Sequence, residues 1–289
     1  MQIDYALILA AGKGSRMGEI GKKLPKPLWP VFYKSLLELQ VDYCNDLGIK
    51  RIFINTHFLS KEIETYLKSD KKFEKVTVLH EDPLLDSGGA IHNMASRGDV
   101  NYTGNVLTVN ADQFLFFDAK FFTEALNSLK KNRATLFGIK VDKSSNYNET
   151  VVSDGLLTEI TRATGTQDYI TYSGLGLIKL DGLRPVPGVT KFFETVANFQ
   201  REKVSLITPD EFEYWDFGTA DIYMNSIKKI FENLQTSKDS VAMGFFRNHG
   251  AFNGDEDNFY SSELSSISLE GVSAFEKNSI VGLGIIQNI

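Results

Sequence analysis

The chain has 289 residues, of which 42% are hydrophobic, 24% charged and 12% aromatic, enough apolar content for a sizeable core and too much for wholesale disorder. Thirty-one Lys and Arg against 37 Asp and Glu leave a net charge of −6, which argues against a general nucleic-acid binder, since such proteins need a basic excess. The single cysteine, Cys44, excludes an internal disulfide framework, and no apolar run approaches the ~20 residues of a membrane span.

The first apolar run follows Asp4 rather than a basic stretch and leads straight into a glycine loop. It reads as a core strand, not a signal peptide, and the expected address is the cytoplasm. Tyr5 to Ala11 suits a buried parallel strand, and a glycine-rich, basic loop follows from Gly12 to Pro30. Lys34 to Leu47 has helical spacing and stops at Gly48. Arg51 to Asn55 is a second strand. Ser60 to Leu67 is a helix with Ser60 as N-cap and Ile63 and Leu67 facing inward. Lys75 to Leu79 is a strand, Gly89 to Ala95 a short helix and Asn105 to Val109 a fourth strand. Ala119 to Leu129 is helical, and Ala134 to Val141 extended. This alternation predicts a layered α/β fold with a mostly parallel central sheet.

Beyond residue 140 the pattern changes. Val151-Val152, Leu156-Leu157 and Ile160 suggest a hairpin insertion, and Thr171 to Leu180 is a strand. Thr190 to Arg201 reads as an amphipathic helix, Val204 to Ile207 as a strand and Ala220 to Leu234 as a final helix. The expected domain therefore covers residues 1–234. Residues 235–289 form an extension, loop through Ser262 and then short β elements, with a strand pair or β-helix rungs as the alternatives.

The most informative segment is Leu9-Ala10-Ala11-Gly12-Lys13-Gly14-Ser15-Arg16-Met17-Gly18, closed by Leu24-Pro25-Lys26-Pro27-Leu28. Two glycines after a buried strand let the backbone turn and aim N–H groups at an anion. Arg16 and Lys26 add positive charge, and the prolines on either side of Lys26 restrict its segment. The spacing does not fit a Walker A loop, which needs GxxxxGK[ST]. Nor does it fit a dinucleotide fingerprint, because Gly12, Gly14 and Gly18 give GxGxxxG and the second strand ends at Asn55, not at an acid. A polyphosphate is the ligand such a loop suits.

The strings LAAGKGSRM and LPKPL resemble the signature of the sugar-1-phosphate nucleotidyltransferases, and the resemblance runs from residue 3 to about residue 230. With FINTHFLSKEIETYL and LLDSGGAI added, the chain is most similar to uridylyltransferases acting on N-acetylmuramate 1-phosphate. The resemblance implies a Rossmann-like three-layer fold and Mg²⁺-dependent transfer of a nucleotide from a nucleoside triphosphate to a sugar 1-phosphate. Uridylyl transfer is expected first, with guanylyl or cytidylyl transfer as alternatives. It also implies that Leu9, Ala10, Ala11, Gly12, Gly14, Ser15, Arg16 and Lys26 hold the nucleotide, Arg16 and Lys26 acting on the reacting phosphates.

Both substrates are anions, so charge must be neutralised, and Mg²⁺ takes oxygen ligands from one or two carboxylates plus phosphates. Asp112, in Thr-Val-Asn-Ala-Asp, matches the Asp of the family's Gly-Asp motif, with Ala111 in the usual glycine position. Asp216, in Trp-Asp-Phe-Gly-Thr, matches the family's D-x-G-T motif. The resemblance makes this pair the metal site; read alone, Asp112 would start a turn and Asp216 precede a helix cap. Gly88 and Gly89 correspond to the base-recognition segment, although a helix-start turn would use the same glycines. Asn110, Ser173 and Gly174 are the expected substrate-binding residues, with a glycine bulge the alternative for the last two. The Glu-Lys-Pro unit carried by many relatives does not occur, and Lys179 does not match it. Asn55 and His57 sit on the expected rim; His80, His92 and His249 have no partner spacing for a metal or a nucleophile–base pair.

No nucleic-acid or membrane partner is expected, and the protein should be a monomer or homodimer. A non-catalytic nucleotide-binding subunit is the rival from another class, and a dinucleotide-dependent oxidoreductase the weaker one.

Overall fold

The structure, a computed structural model, describes residues 2–14, 21–236, 240–252, 279–282 and 285–288. Tyr5–Leu9 (β1) is buried along most of its length because it lies in the middle of a sheet covered on both faces. Ala6 and Ile8 enter one core, Tyr5 and Leu7 the other. A small hairpin, Pro30–Val31 (β2) and Lys34–Ser35 (β3), leads into Leu36–Asp46 (α1). There Ser35 caps the helix by accepting from the Glu38 amide at 3.0 Å, and Gly48, at φ +74°, turns the chain away. Ile52–Thr56 (β4) follows.

Ser60–Lys68 (α2) buries Ile63 and Leu67 as expected, but Ser60 is the first helical residue rather than the cap. Leu59 holds the cap position in the left-handed conformation, and no side chain hydrogen-bonds there. Val76–His80 (β5), Asp86–Ala95 (α3), Asn105–Asn110 (β6), Gln113–Phe117 (β7), Lys120–Ser128 (α4) and Ala134–Val141 (β8) complete the first half. Asn148–Ser153 (β9) and Leu156–Arg162 (β10) form the expected hairpin, and Tyr169–Lys179 (β11) returns to the sheet.

Among the described residues the main sheet has nine strands in the order β5-β4-β1-β6-β11-β8, then Val204–Ile207 (β12), β10 and β9. Seven of the nine share one direction, and β10 and β11 oppose them, so the mostly parallel sheet is as anticipated. The two-core split recurs at β4 (Ile52 and Ile54 against Phe53) and β8 (Phe137 and Ile139 against Ala134 and Leu136), giving the three layers.

Two expectations need correction. The helix expected over 190–201 is a single turn, Phe192–Thr195 (α5). Thr190 is taken up by strand-like bonds to α3, its amide donating to Leu85 O at 3.1 Å and its carbonyl accepting from Gly89 N at 3.0 Å, and Phe192, Phe193 and Phe199 pack by ring contacts. The loop expected after residue 235 contains a helix. Past Phe212–Asp216 (β13) and Ala220–Gln235 (α6), Val241–Asn248 (α7) is capped by Ser240 and buries Ala242, Met243, Phe245 and Phe246. These rings meet Phe114, Phe116 and Trp215 on the antiparallel ribbon of β7 and β13, so α7 completes the larger core. Ser279–Gly282 (β14) and Ile285–Asn288 (β15) pair antiparallel, the strand-pair alternative. No helix among the described residues is long and apolar enough to cross a membrane.

Candidate active site

The carboxyl ends of β1, β4 and β6 open onto one cleft of about 1070 Å³, the usual place for a ligand in an open α/β sheet. Leu9, Ala10, Ala11 and Gly12 line it from the end of β1 onward, Asn55 within the end of β4, and Asn110, Ala111, Asp112 and Gln113 from the end of β6 onward. A Cβ added at Gly12 would meet nothing within 4 Å, so a ligand can approach the main chain there, and Gly14 takes φ +60°. Ser15 and Arg16 lie outside the described residues.

A buried relay fixes the glycine loop from behind. The Asn55 side-chain oxygen accepts from Ala10 N at 2.7 Å, and its amide donates to Glu81 Oε1 at 2.8 Å. Glu81 is 1% exposed, and its second oxygen accepts from Leu85 N at 3.0 Å, just before α3. The two facing walls of the cleft are thereby tied through one carboxylate. Sequence reasoning placed Asn55 on this rim but missed Glu81, which carries no mark beyond its place at a strand end.

Lys26 sits in the 3-10 turn Lys26–Leu28, behind Pro25. Its ammonium is paired with Asp112 and also donates to Gly218 O at 3.3 Å, and the two side chains are 17% and 14% exposed. Asp216 Oδ1 accepts from Gly218 N at 2.7 Å, while its other oxygen accepts from the Tyr147 hydroxyl. Burial and the Asp216 charge push the Tyr147 phenol well above its ordinary range, so it stays a donor. A Cβ at Gly218 would stand 2.8 Å from Asp216 Oδ1 and 3.6 Å from Asp112 Oδ2: both carboxylates converge on the bare face of this glycine. Phe217 N donates to Asp112 O at 2.9 Å and binds the end of β13 to the turn after β6.

Asn110, Lys26, Asp112 and Asp216 therefore share a single cleft with the glycine loop. Gly88 and Gly89 do not line it. They are buried in the first turns of α3, where added Cβ atoms would come within 2.6 Å of Lys191 and Thr190 and 2.5 Å of Gly188. This pair is close helix packing, and the cleft wall there is Leu84, Asp86 and Ser87. Ser173 and Gly174 are not on the cleft either. Ser173 is 3% exposed and donates to Phe137 O at 2.7 Å; Gly174, at φ +89°, belongs to an irregularity in β11 and leaves room for the hydrogen-bonded Asn110 and Gln113 side chains. Tyr147, with Ser145 and Asn146, forms a wall sequence reasoning missed, held by Tyr169, whose hydroxyl donates to the carbonyls of Ser145 and Tyr147 at 2.8 and 2.9 Å.

The donor set tests what ion could sit here. It is two hard carboxylates, and among the described residues no group of three His, Cys, Asp or Glu gathers anywhere. An ion at Asp112 and Asp216 would complete its shell with water and substrate oxygens, which fits Mg²⁺ rather than zinc.

The family model "Nucleotidyl transferase" matches residues 5–155. The chain belongs to this nucleotidyl transferase family. Among sequence relatives within the family, a D-glycero-alpha-D-manno-heptose 1-phosphate guanylyltransferase from Aneurinibacillus thermoaerophilus is 29% identical over 43% of this chain and 53% of its own. A UTP–glucose-1-phosphate uridylyltransferase from Synechocystis sp. is 37% identical over 24% of this chain and 18% of its own. The chain thus spans about half or less of the length of these relatives. Among solved structures, HddC from Yersinia pseudotuberculosis complexed with GMP-PN superposes with TM-score 0.67 at 21% identity, covering 78% of this chain and 99% of that one, a likeness of fold.

Proposed function

We propose that this chain transfers a nucleotidyl group from a nucleoside triphosphate to a sugar 1-phosphate, releasing pyrophosphate, with UTP as the first donor to test. The observation that carries this reading is the meeting of Lys26, Asp112 and Asp216 beside the glycine loop in one cleft. In the direct displacement, an oxygen of the sugar phosphate forms a bond to the α-phosphorus. The bond from that phosphorus to the bridging oxygen breaks, and pyrophosphate leaves with the electron pair.

The chain's own residues have distinct tasks in this scheme. The main chain at Ala11 and Gly12 cradles the phosphates, fixed by the Asn55 relay. Lys26 neutralises charge at the reacting phosphates, and Tyr147 holds the Asp216 carboxylate in orientation. Among the described residues lining the cleft, Lys26 is the one cation against Asp86, Asp112 and Asp216. A triphosphate would enter such a cleft against net negative charge, which favours a divalent requirement. Mg²⁺ held by Asp112 and Asp216 would supply that neutralisation when bound. Arg16 is the further cation proposed for the loop.

Pyrophosphate release measured across a panel of UTP, GTP and CTP against sugar 1-phosphates and phosphocholine tests this reading. Release with one triphosphate and one acceptor is expected. Tight triphosphate binding with no release from any pair would replace transfer by a non-catalytic nucleotide-binding role. The 43% overlap with the heptose 1-phosphate guanylyltransferase makes GTP the second donor in that panel.

A further inference from the structure

We propose that Gln40 is a positioning residue for Asp112, an inference that takes the task of Asp112 from the transfer reading but rests on its own geometry. Gln40 lies in the middle of α1, 1% exposed, on a helix whose other buried residues are mostly apolar. Its side-chain amide donates to Asn110 O at 3.0 Å and to Gln113 O. Those carbonyls are the two ends of the four-residue turn that carries Asp112.

The turn needs an outside support. β6 belongs to the nine-stranded sheet, whereas β7 pairs with β13 in a separate ribbon, so no strand ladder joins β6 to β7 across the turn. Two main-chain bonds hold its middle: Ala111 N donates to Leu9 O at 3.1 Å, and Phe217 N donates to Asp112 O at 2.9 Å. Gln40 supplies the bonds at both ends. The Asn110 and Gln113 side chains, joined at 2.6 Å, close the turn over the space that Gly174 leaves.

The cost of Gln40 points the same way. Its Oε1 is buried and has no hydrogen-bond partner among the described residues, so the site accepts the desolvation of one acceptor. An apolar residue would fill that volume without the loss. What it could not do is satisfy two converging carbonyls and set the angle at which Asp112 meets Lys26 and Asp216.

The test is Gln40→Met, which keeps the volume and helix preference but has no donor. Mn²⁺ alone is titrated into the full chain and followed by EPR of the free ion, with urea melting in parallel. A fall in Mn²⁺ affinity of about tenfold is expected for the folded variant, the scale seen when outer-shell partners of metal ligands are lost. The half-saturating Mg²⁺ for pyrophosphate release should rise alongside it, with the KM for the triphosphate within about twofold of wild type. Lower melting with unchanged Mn²⁺ affinity would overturn the proposal, as would a wild-type chain that binds no Mn²⁺. If Gln40→Met does not fold, Gln40→Asn, whose amide is one methylene short, should show the same loss, and wild-type affinity in that variant would overturn the proposal. Absence of pyrophosphate release by the wild type would remove the transfer reading alone, because the Mn²⁺ titration still decides the role of Gln40.

Discussion

Lys26, on a 3-10 turn behind Pro25, is ion-paired with Asp112, 86 residues further along the chain. Each partner is mostly withdrawn from water, so neither charge is a loose surface group. Lys26→Ala should lower kcat/KM for pyrophosphate release by about 100-fold or more, since it removes a preorganised cation from the reacting phosphates. The variant should still fold but melt somewhat lower, because Asp112 loses its paired cation in a place mostly withdrawn from water. Wild-type turnover from this variant would end the proposed role.

Asp216→Asn keeps an oxygen for the Gly218 amide but removes a negative charge from the pair that meets at that glycine. The expected outcome is a rise of about tenfold in half-saturating Mg²⁺. Titrating Mg²⁺ at fixed, saturating triphosphate measures it, and a superimposable curve would exclude Asp216 from the metal site.

Burial holds the His92 imidazole below its ordinary range, an effect partly offset by the nearby main chain of Thr195. The folded state therefore resists a proton that the unfolded chain takes up at about pH 6.5. Stability from the neutral ring is fully present above that pH and is lost as pH falls from there through the lower folded value. His92→Gln should flatten this fall. Urea melts at pH 7.5 and 5.5 measure the difference, and an equal loss in both proteins would rule out His92 as its source.

Phe246 is fully buried and touches Phe114, Phe116 and Trp215 by ring contacts. Phe246→Ala should cost about 3–5 kcal/mol, the usual range for a large core aromatic. Chemical denaturation reads this directly, and a loss under about 1 kcal/mol would mean that α7 is only loosely attached.

Much of the layering was legible because parallel strands buried on both faces write themselves as unbroken apolar runs. Tyr5 to Leu9 is the clearest case. Lys26, Asp112 and Asp216 were legible through local motifs, but their meeting is a property of topology that no spacing encodes. Gly88, Gly89, Ser173 and Gly174 mark the limit. A glycine needed for close packing and one needed for ligand approach look alike until their neighbours are known, and those neighbours lie up to about 100 residues away, as at Lys191. Residues 190–201 misled for another reason: apolar spacing of helical type was used for a packed aromatic cluster, and Thr190 at its start spends its backbone bonds on Leu85 and Gly89. The α7 helix was hidden by its short length and by the polar residues on either side.

The docking of α7 on the β7–β13 ribbon has a consequence for how the protein comes into being. The turn beside β7 and the last residue of β13 carry the two carboxylates, and the rings that back this ribbon come from residues 245 and 246. During synthesis, the half-made polypeptide leaving the ribosome would hold its glycine loop early but lack the rings that back the ribbon beside Asp112 and Asp216. The settling of both acids would thus wait until residues 245 and 246 have emerged.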